Sequence, residues 1–214
     1  MPYMKLTIAI PTYNRPKQLK KLLSSIKHQT NDVIKKEFTV LICDNNSDFD
    51  IYESIKIYES YFQLNYIKNS SNIGVTSNII KVCENANSDF IFLMSDDDIL
   101  IDGSITKVLT TIKTHPDIGF ISGPQQCFDR NESNNNKKVV FSYAKKDKLF
   151  LPDCSSFINF FLRSTSMSGL IFQKNLIDFE LVKKDKNNLY PQIFFIGQAI
   201  IKKTSYYYEK PLVE

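Results

Sequence analysis

The sequence predicts an α/β protein with a mostly parallel central sheet flanked by helices. Through the first hundred residues, short β-rich apolar runs alternate with segments of helical spacing in the order β-α-β-α-β-α-β. Clusters of polar residues directly follow three of those apolar runs. Because right-handed crossovers make the strands of such units parallel, we expect the three clusters to meet at one edge of the sheet, where α/β proteins bind ligands.

The first unit is the β-rich run at residues 6–10, which we predict to end at Pro11, followed by a helix. Asn14 is the expected cap of this helix, and Pro16 falls in its first turn, where the missing N–H costs nothing. The apolar residues at helical spacing, which we expect to face the core, are Leu19, Leu22, Leu23 and Ile26.

Later elements follow the same pattern. We predict strands at residues 38–43, 64–67, 90–94 and 118–122. Helices between and after them have inward apolar positions at Ile51, Ile55 and Phe62, then at Ile79, Val82, Cys83 and Ala86, and finally at Ile105, Val108, Leu109 and Ile112.

The second half of the chain is less regular. Residues 130–138 are Asn-rich and predict an exposed hairpin tip or a mobile loop. The apolar residues 157–162 are too few to span a bilayer, so we predict a buried helix rather than a membrane anchor. Residues 205–211 are interpreted as a strand that runs off the core.

Composition limits the classes of function. A chain of 214 residues, 43% of them hydrophobic, is expected to bury one core and to form one domain. Its net charge of +4 is too small to indicate nucleic-acid binding but suits an anionic ligand or an acidic membrane surface. The four cysteines lack C-x-x-C spacing, so we interpret them as reduced core thiols of a cytoplasmic protein.

The acidic run Asp96, Asp97 and Asp98 follows the apolar strand predicted at residues 90–94. Three adjacent carboxylates repel one another unless solvent or a cation separates them. Their hard oxygen ligands suit Mg²⁺ or Mn²⁺, which would bridge to a substrate diphosphate. The alternative is a solvated turn whose carboxylates cap the following helix.

Two further residues at strand ends are candidate ligand contacts, and each has a structural alternative. Asp44 would accept the imide N–H of a uracil or thymine, or it would form an ordinary Asx turn. Tyr13 would stack on a base, or it would be a core aromatic residue. Arg15 is interpreted as a surface charge of the first helix.

Four segments together resemble the family 2 glycosyltransferases of the GT-A fold, in particular bacterial enzymes that add sugars to surface polysaccharides, with abequosyltransferase-like members among them. The resemblance covers the first half of the chain, and its segments occur in the order and spacing typical of the family. The segments are TIAIPTYNRPKQLKKLLSSI, VLICDNNSDFD, NSSNIGVTSNI and DFIFLMSDDDIL.

The resemblance implies one GT-A-like domain over residues 1–214, which is either a minimal member of the family or one truncated at its C-terminus. Residues 1–100 would bind a nucleotide-sugar, with UDP or dTDP favoured, and residues 101–214 would bind a glycan acceptor. Carried over by position, the donor-binding residues are Pro11, Thr12, Tyr13, Asp44 and Asp96, and the ligands of Mn²⁺ or Mg²⁺ are Asp97 and Asp98.

The resemblance also implies inversion at the sugar by direct displacement, with a carboxylate from the second half as the base. The Glu-Asp pair frequent in the family is absent there, and the nearest carboxylates are Asp178, Glu180 and Asp185. We take Asp185 as the candidate base, with solvated surface as the alternative. Gly169 marks either the strand beside the acceptor or a plain strand glycine. A lipid-linked acceptor would place the protein at the inner face of a membrane.

Rival functions are weighed on the same residues. A catalytically incomplete nucleotide-sugar-binding or assembly subunit would share the fold and lack the base. A haloacid-dehalogenase phosphotransferase needs an aspartate after the first strand, where Pro11 and Thr12 stand. The sequence contains neither the G-x-G-x-x-G motif of dinucleotide binding after the first strand nor a P-loop motif. A calcium-binding acidic surface would bind calcium without a nucleotide.

Overall fold

The computed structural model describes residues 5–128, 137–185 and 188–214, and these residues form ten strands and seven α-helices. The strands are β1 (Leu6–Thr12), β2 (Phe38–Asp44), β3 (Gln63–Lys68), β4 (Phe90–Leu93), β5 (Ile118–Ser122), β6 (Gln125–Phe128), β7 (Lys137–Val140), β8 (Lys148–Phe150), β9 (Leu170–Gln173) and β10 (Thr204–Tyr207). The α-helices are α1 (Pro16–His28), α2 (Ile51–Ile55), α3 (Val75–Glu84), α4 (Ser104–Thr114), α5 (Cys154–Phe161), α6 (Phe179–Lys183) and α7 (Pro191–Lys202). Short 3₁₀ turns are formed by Ile34–Lys36, Lys56–Ser60, Arg163–Thr165 and Lys174–Leu176.

Eight of the strands form one sheet in the order β3-β2-β1-β4-β9-β5-β10-β8. The strands from β3 to β4 are parallel, β9 runs antiparallel to both of its neighbours, and β10 is parallel to β5. The mostly parallel sheet predicted from the sequence is therefore confirmed. Its strand order brings the carboxyl ends of β2, β1 and β4 side by side.

Helices cover both faces of the sheet, which explains why the central strands are apolar on both sides. One face packs against α1, α2 and α4, and the predicted inward residues of α1 are all fully buried. The other face packs against α3, α5, α6 and α7. Within the described ranges, no helix is both long and apolar enough to cross a bilayer.

The strand β1 differs from its prediction because it continues through Pro11 to Thr12. Pro11 lies opposite Cys43 in β2, whereas the pairing of β1 with β4 ends at Ala9. A proline lacks an N–H and is tolerated where one neighbouring strand has ended. Pro11 therefore brings Thr12 to the edge of the sheet instead of stopping the strand.

Helix starts and lengths also differ locally from the predictions. Arg15, not Asn14, occupies the N-cap position of α1, and Asn14 has a φ of 56°. The side chain of Asn14 instead links the loops after β1 and β2. Its Nδ2 donates to the Asp48 carboxylate, and its Oδ1 accepts from the Asp48 N–H. The helix predicted through Ile51 and Phe62 is only the short α2 and a 3₁₀ turn.

Two predictions in the second half are wrong in part. The apolar helix α5 forms, but it buries only one side, and Ile158 is 76% exposed. The last strand, β10, does not leave the core: it lies between β5 and β8, and Tyr207 is fully buried. Both outcomes depend on how distant segments of the chain pack together, which the local sequence does not encode.

The Asn-rich segment at residues 130–138 lies mostly outside the described residues, since 129–136 are not described. The strands on either side of it, β6 and β7, pair antiparallel with Gln125 opposite Val140. The cysteines are all free thiols, but only Cys43 and Cys83 are buried, and Cys154 is exposed at the start of α5. The prediction of four core thiols is therefore wrong for Cys154, and Cys127 is only partly buried.

We predict that Phe92→Ala lowers the free energy of unfolding by about 3 to 5 kcal/mol, because it leaves a cavity at a fully packed site. Phe92 is fully buried and lies opposite Ile8 in β1 and Ile171 in β9. Urea unfolding followed by circular dichroism measures the change. The control is Val33→Ala, at an exposed position, with an expected change within about 0.5 kcal/mol. Equal losses in the two variants would contradict this packing.

Candidate active site

Polar residues from the ends of β1 and β4 meet, as the strand order predicts. The Thr12 hydroxyl donates a 2.6 Å hydrogen bond to Oδ2 of Asp96, across 84 residues of sequence. Thr12 also lies opposite Asp44 in the parallel pairing of β1 with β2. The three polar clusters therefore share one edge of the sheet.

Asp96 is the most enclosed carboxylate of the acidic run, with 4% of its surface exposed. Besides Thr12, it is contacted by the Arg15 guanidinium, whose Nη1 lies 3.2 Å from Oδ1. Burial raises the pKa of Asp96 above its ordinary value, although both hydrogen-bond donors oppose that shift. Nη1 of Arg15 also lies 2.9 Å from Oδ2 of Asp97, so its interpretation as a plain surface charge is wrong.

Asp97 and Asp98 have different environments. The Ser95 hydroxyl donates a 2.5 Å hydrogen bond to Asp97, which is partly exposed. Asp98 is partly buried, and burial raises its pKa while the nearby Ser168 hydroxyl and the charge of Arg163 oppose the rise. The acidic run is therefore divided into one carboxylate engaged by Thr12 and two that line a common cavity.

Among the described residues, no three His, Cys, Asp or Glu side chains converge to hold a metal ion. A magnesium-type cation in a nucleotide site is commonly held by one or two carboxylates together with substrate phosphates and water. Asp97 and Asp98 supply that number of carboxylates on one cavity wall. The residues present thus fit a cation that arrives with a diphosphate.

A cavity of about 430 Å³ opens at this edge of the sheet, and four of the five residues predicted to bind the donor line it: Pro11, Thr12, Tyr13 and Asp96. Tyr13 is 41% exposed, so it is not a core aromatic residue. Asn72 and Gly74 line the opposite side, and Gly74 has a φ of 85°, which favours glycine. The cavity is therefore lined by the accessible ring of Tyr13, the guanidinium of Arg15 and the carboxylate of Asp96.

Asp44 is fully buried at the end of β2, and both of its oxygens have protein partners. Oδ1 accepts from the N–H and the hydroxyl of Ser47, which is the Asx-turn alternative considered from the sequence. Oδ2 accepts a 2.6 Å hydrogen bond from the Tyr66 hydroxyl. A base would therefore have to share Asp44 with these two residues.

An asparagine network was missed from the sequence. Asn45 donates to Asn72 and accepts from Asn69, which also donates to Asn78 on α3. Asn78 in turn donates to the carbonyl of Cys43 in β2. These bonds fix the loop after β3 against the end of β2. The only local signal was the clustering of asparagines, which equally describes a solvated loop.

The model of the family described as "Glycosyl transferase family 2" matches residues 7–185, well over half of the chain. The chain belongs to glycosyl transferase family 2. It is 31% identical over 128 residues, 59% of its length, to an uncharacterized glycosyltransferase of Haemophilus influenzae, and 26% identical over 98% of its length to the abequosyltransferase RfbV of Salmonella typhimurium. The chain spans 41% of the first relative and 66% of the second.

Solved structures agree on the fold. The chain is similar to residues 1–349 of S. aureus TarS in complex with UDP-GlcNAc, with a TM-score of 0.74, 17% identity, and coverage of 98% of this chain and 58% of that one. It is also similar to the mannosyltransferase PcManGT of Pyrobaculum calidifontis in complex with GDP-Man and Mn²⁺, with a TM-score of 0.63, 14% identity, and coverage of 98% and 55%. At these identities the likeness shows the fold, which is GT-A.

In this family 2 glycosyltransferase, a second cavity of about 380 Å³ adjoins the first, and the two share the wall residues Val75, Ser95 and Met167. Asp97 and Asp98 line it, together with Gln192. Nε2 of Gln192 donates to the carbonyl of Thr165, while its buried Oε1 has no hydrogen-bond partner in the described structure. The second cavity thus pairs the acidic run with neutral hydrogen-bonding groups.

Arg163 supports the wall of this second cavity from behind, and it is 1% exposed. Its guanidinium donates to the carbonyls of Gly123, Ser166 and Ser168, and burial lowers its pKa to about 10. The Ser168 hydroxyl accepts from the Ser95 N–H, so the wall is tied to the acidic run. Gly169 has a φ of 81°, and a Cβ there would lie 2.5 Å from Arg163.

The structure does not bring Asp185 to the acidic run. Asp185 lines a separate cavity of about 720 Å³ beside α3, together with Glu84 and Lys183. Of the other carboxylates considered, Asp178 caps α6 through the Leu181 N–H and Glu180 pairs with Lys183. The assignment of Asp185 as the base stays a prediction that rests on the sequence.

We predict that Asp98→Asn raises the free energy of unfolding of the metal-free protein at neutral pH. Because the pKa of Asp98 is raised on folding, the folded state binds the proton more tightly than the unfolded chain. The stability from this effect is present below the unfolded pKa of 3.8 and is lost as the pH rises through the folded pKa. The gain from Asn should therefore be larger at neutral pH than near about pH 4.

Urea unfolding in the presence of a chelator at both pH values measures this gain. The control is Asp102→Asn, at an exposed position in the connection after the acidic run, with an expected change within about 0.5 kcal/mol at either pH. A gain of the same size at both pH values would contradict the role of ionisation.

Proposed function

We propose that this chain transfers a sugar from a nucleoside diphosphate to a glycan acceptor in the synthesis of a bacterial surface polysaccharide, with inversion at the sugar. The observation that carries the proposal is the pair of adjoining cavities that meet at residues 95–98. Two substrates bound side by side, with carboxylates at their junction, is the arrangement that group transfer requires. Family membership and the abequosyltransferase relative support the same reaction class.

The first cavity is the proposed donor site. Tyr13 offers an exposed aromatic face to a nucleobase, and Arg15 offers a positive charge for the diphosphate. Asp44 is proposed to select a uracil or thymine base, in UDP or dTDP, while it shares its oxygens with Ser47 and Tyr66. The TarS complex with UDP-GlcNAc supports a nucleotide-sugar as the donor.

Mn²⁺ or Mg²⁺ is the proposed cofactor, and Asp97 and Asp98 would hold it together with oxygens of the diphosphate. Such an ion stabilises the negative charge that develops on the departing diphosphate. Asp96 would contribute through its fixed position beside the donor, since Thr12 and Arg15 already engage its oxygens. The PcManGT complex with Mn²⁺ supports a cation in this fold.

A second candidate function is a nucleotide-sugar-binding or assembly subunit that does not catalyse transfer. The second cavity is the proposed acceptor site, and we call it the acceptor-side cavity. The observation in favour of a binding subunit is that, among the described residues, those from the second half of the chain that line this cavity are all uncharged. They are Gln125, Thr165, Ser166, Met167, Ser168, Leu189, Tyr190 and Gln192. Such a wall positions an acceptor hydroxyl but offers it no carboxylate from the second half.

A panel of UDP-, dTDP-, GDP- and CDP-sugars, screened for thermal stabilisation with and without Mn²⁺, tests the binding part of the proposal. A ligand at a hundred times its Kd stabilises a protein by about 2.7 kcal/mol, which raises Tm by several degrees. We expect UDP- or dTDP-sugars to stabilise the wild type more with Mn²⁺ than without it. Asp97→Asn should lose the metal-dependent part, whereas the control Asp102→Asn should retain it.

If no nucleotide-sugar stabilises the wild type, or if Asp97→Asn responds as the wild type does, the donor site is wrongly placed. Release of free UDP from a stabilising UDP-sugar, followed over time, separates the two candidate functions. Slow hydrolysis that requires Mn²⁺ indicates an enzyme, and tight binding without any turnover of donor indicates a binding subunit.

The proposed setting is the cytoplasmic face of a membrane, where a lipid-linked acceptor would be presented. It is supported by the similarity of the chain to an abequosyltransferase and by the large apolar residues that α5 and α7 expose to solvent.

A further inference from the structure

The helix α5 presents an apolar stripe to solvent. Ile158, Phe161 and Leu162 are spaced i, i+3 and i+4, which places them on one side of the helix, and they are 76%, 45% and 59% exposed. Leu151, which precedes the start of α5, is also exposed. Phe160, on another side of α5, is buried in the core. The helix therefore carries large apolar side chains both towards the core and towards solvent.

The neighbouring helix α7 extends this stripe. It packs against α5 on the same face of the sheet, where Gly197 lies beside the ring of Phe157. Phe194 and Ile201 are exposed on α7, one near each end of the helix. We call the exposed apolar residues of α5, its C-cap and α7 the α5–α7 surface, which consists of Ile158, Phe161, Leu162, Phe194 and Ile201. A cluster of large exposed apolar residues on adjacent helices is typical of a docking surface.

One end of the α5–α7 surface reaches the acceptor-side cavity. The chain passes from Leu162 through the 3₁₀ turn to Thr165, which lines that cavity and accepts a hydrogen bond from Gln192 at the start of α7. Leu189 and Tyr190, just before α7, are exposed and line the same cavity. The apolar surface therefore leads directly to the place where we propose that the acceptor binds.

Basic residues lie at the same edge of the sheet as this cavity. Lys145, Lys146 and Lys148 are exposed just before and at the start of strand β8, and Lys148 lies opposite Tyr207, the last residue of β10. The carboxylate of Asp147, between them, accepts hydrogen bonds from the Tyr206 hydroxyl and the Glu209 N–H. The lysines are thus the outward charges of this segment, next to exposed apolar side chains.

We propose that the α5–α7 surface docks on a bilayer that contains acidic phospholipids, which would hold the acceptor-side cavity over a lipid-linked acceptor. This inference rests on the proposed function for the nature of the acceptor. Large apolar side chains enter the boundary between headgroups and acyl chains, and lysines bind anionic headgroups. The combination of exposed apolar side chains on α5 and α7 with lysines at the cavity edge of the sheet favours a bilayer over a soluble protein as the partner.

Sedimentation with vesicles tests the proposal, using phosphatidylcholine alone and phosphatidylcholine mixed with phosphatidylglycerol. The wild type should bind the mixed vesicles more tightly, and added salt should weaken that binding. The double variant Ile158→Asp, Leu162→Asp should lose binding to both. Lys145→Gln with Lys146→Gln should weaken binding to the mixed vesicles by about fivefold or more. The matched control is Ile57→Asp, which changes an equally exposed apolar residue on the 3₁₀ turn Lys56–Ser60, and it should bind as the wild type does.

Three results would overturn the proposal. The first is a wild type that does not sediment with the mixed vesicles, and the second is an Ile57→Asp variant that loses binding equally. The third is a wild type that is dimeric by analytical ultracentrifugation, with a monomeric double variant, because the surface would then join two copies of the chain. Thermal stabilisation by UDP-sugars and Mn²⁺ should be unchanged in all these variants, so a failure of docking is distinguishable from a failure of the donor site.

Discussion

The hydrogen bond between the Thr12 hydroxyl and the Asp96 carboxylate is the contact on which the rest of the site depends. It joins the ends of two adjacent parallel strands, β1 and β4, and places the acidic run at the edge of the sheet. With Arg15 it also engages the oxygens of Asp96, which reduces the repulsion that three ionised neighbours would otherwise exert. The remaining carboxylates, Asp97 and Asp98, face the cavities. The three adjacent aspartates therefore have different environments.

A second support comes from the other half of the chain. Arg163 is buried, and its guanidinium is satisfied by three backbone carbonyls, which hold the segment before β9 in one conformation. The Ser168 hydroxyl, in that segment, accepts a hydrogen bond from the Ser95 N–H. Gly169 completes the arrangement because its positive φ and its closeness to Arg163 leave no room for a side chain. The acidic run is therefore held from both sides, by β1 and by the approach to β9.

These two supports place two adjoining cavities at one edge of the sheet. The loops after β1, β2 and β3 enclose the proposed donor cavity, where Asn45, Asn69 and Asn78 link the strand ends to α3. The segment before β9 and the start of α7 line the second cavity, which is the proposed acceptor site. Because α5 ends near that cavity and α7 begins at it, their exposed apolar residues connect the proposed acceptor site to the proposed membrane.

The sequence by itself determined the alternating order of strands and helices, the parallel sheet, the inward residues of α1, α3 and α4, and the motifs that mark the family. These follow from the local periodicity of apolar residues and from polar residues at strand ends, both of which are readable within a few residues. Only the tertiary structure decided that Arg15 pairs with the acidic run, that Asp44 is engaged by Ser47 and Tyr66, that Asp185 lines another cavity and that α5 exposes an apolar side. Most of these outcomes depend on contacts between residues that lie tens of positions apart, and a local pattern contains no record of such partners.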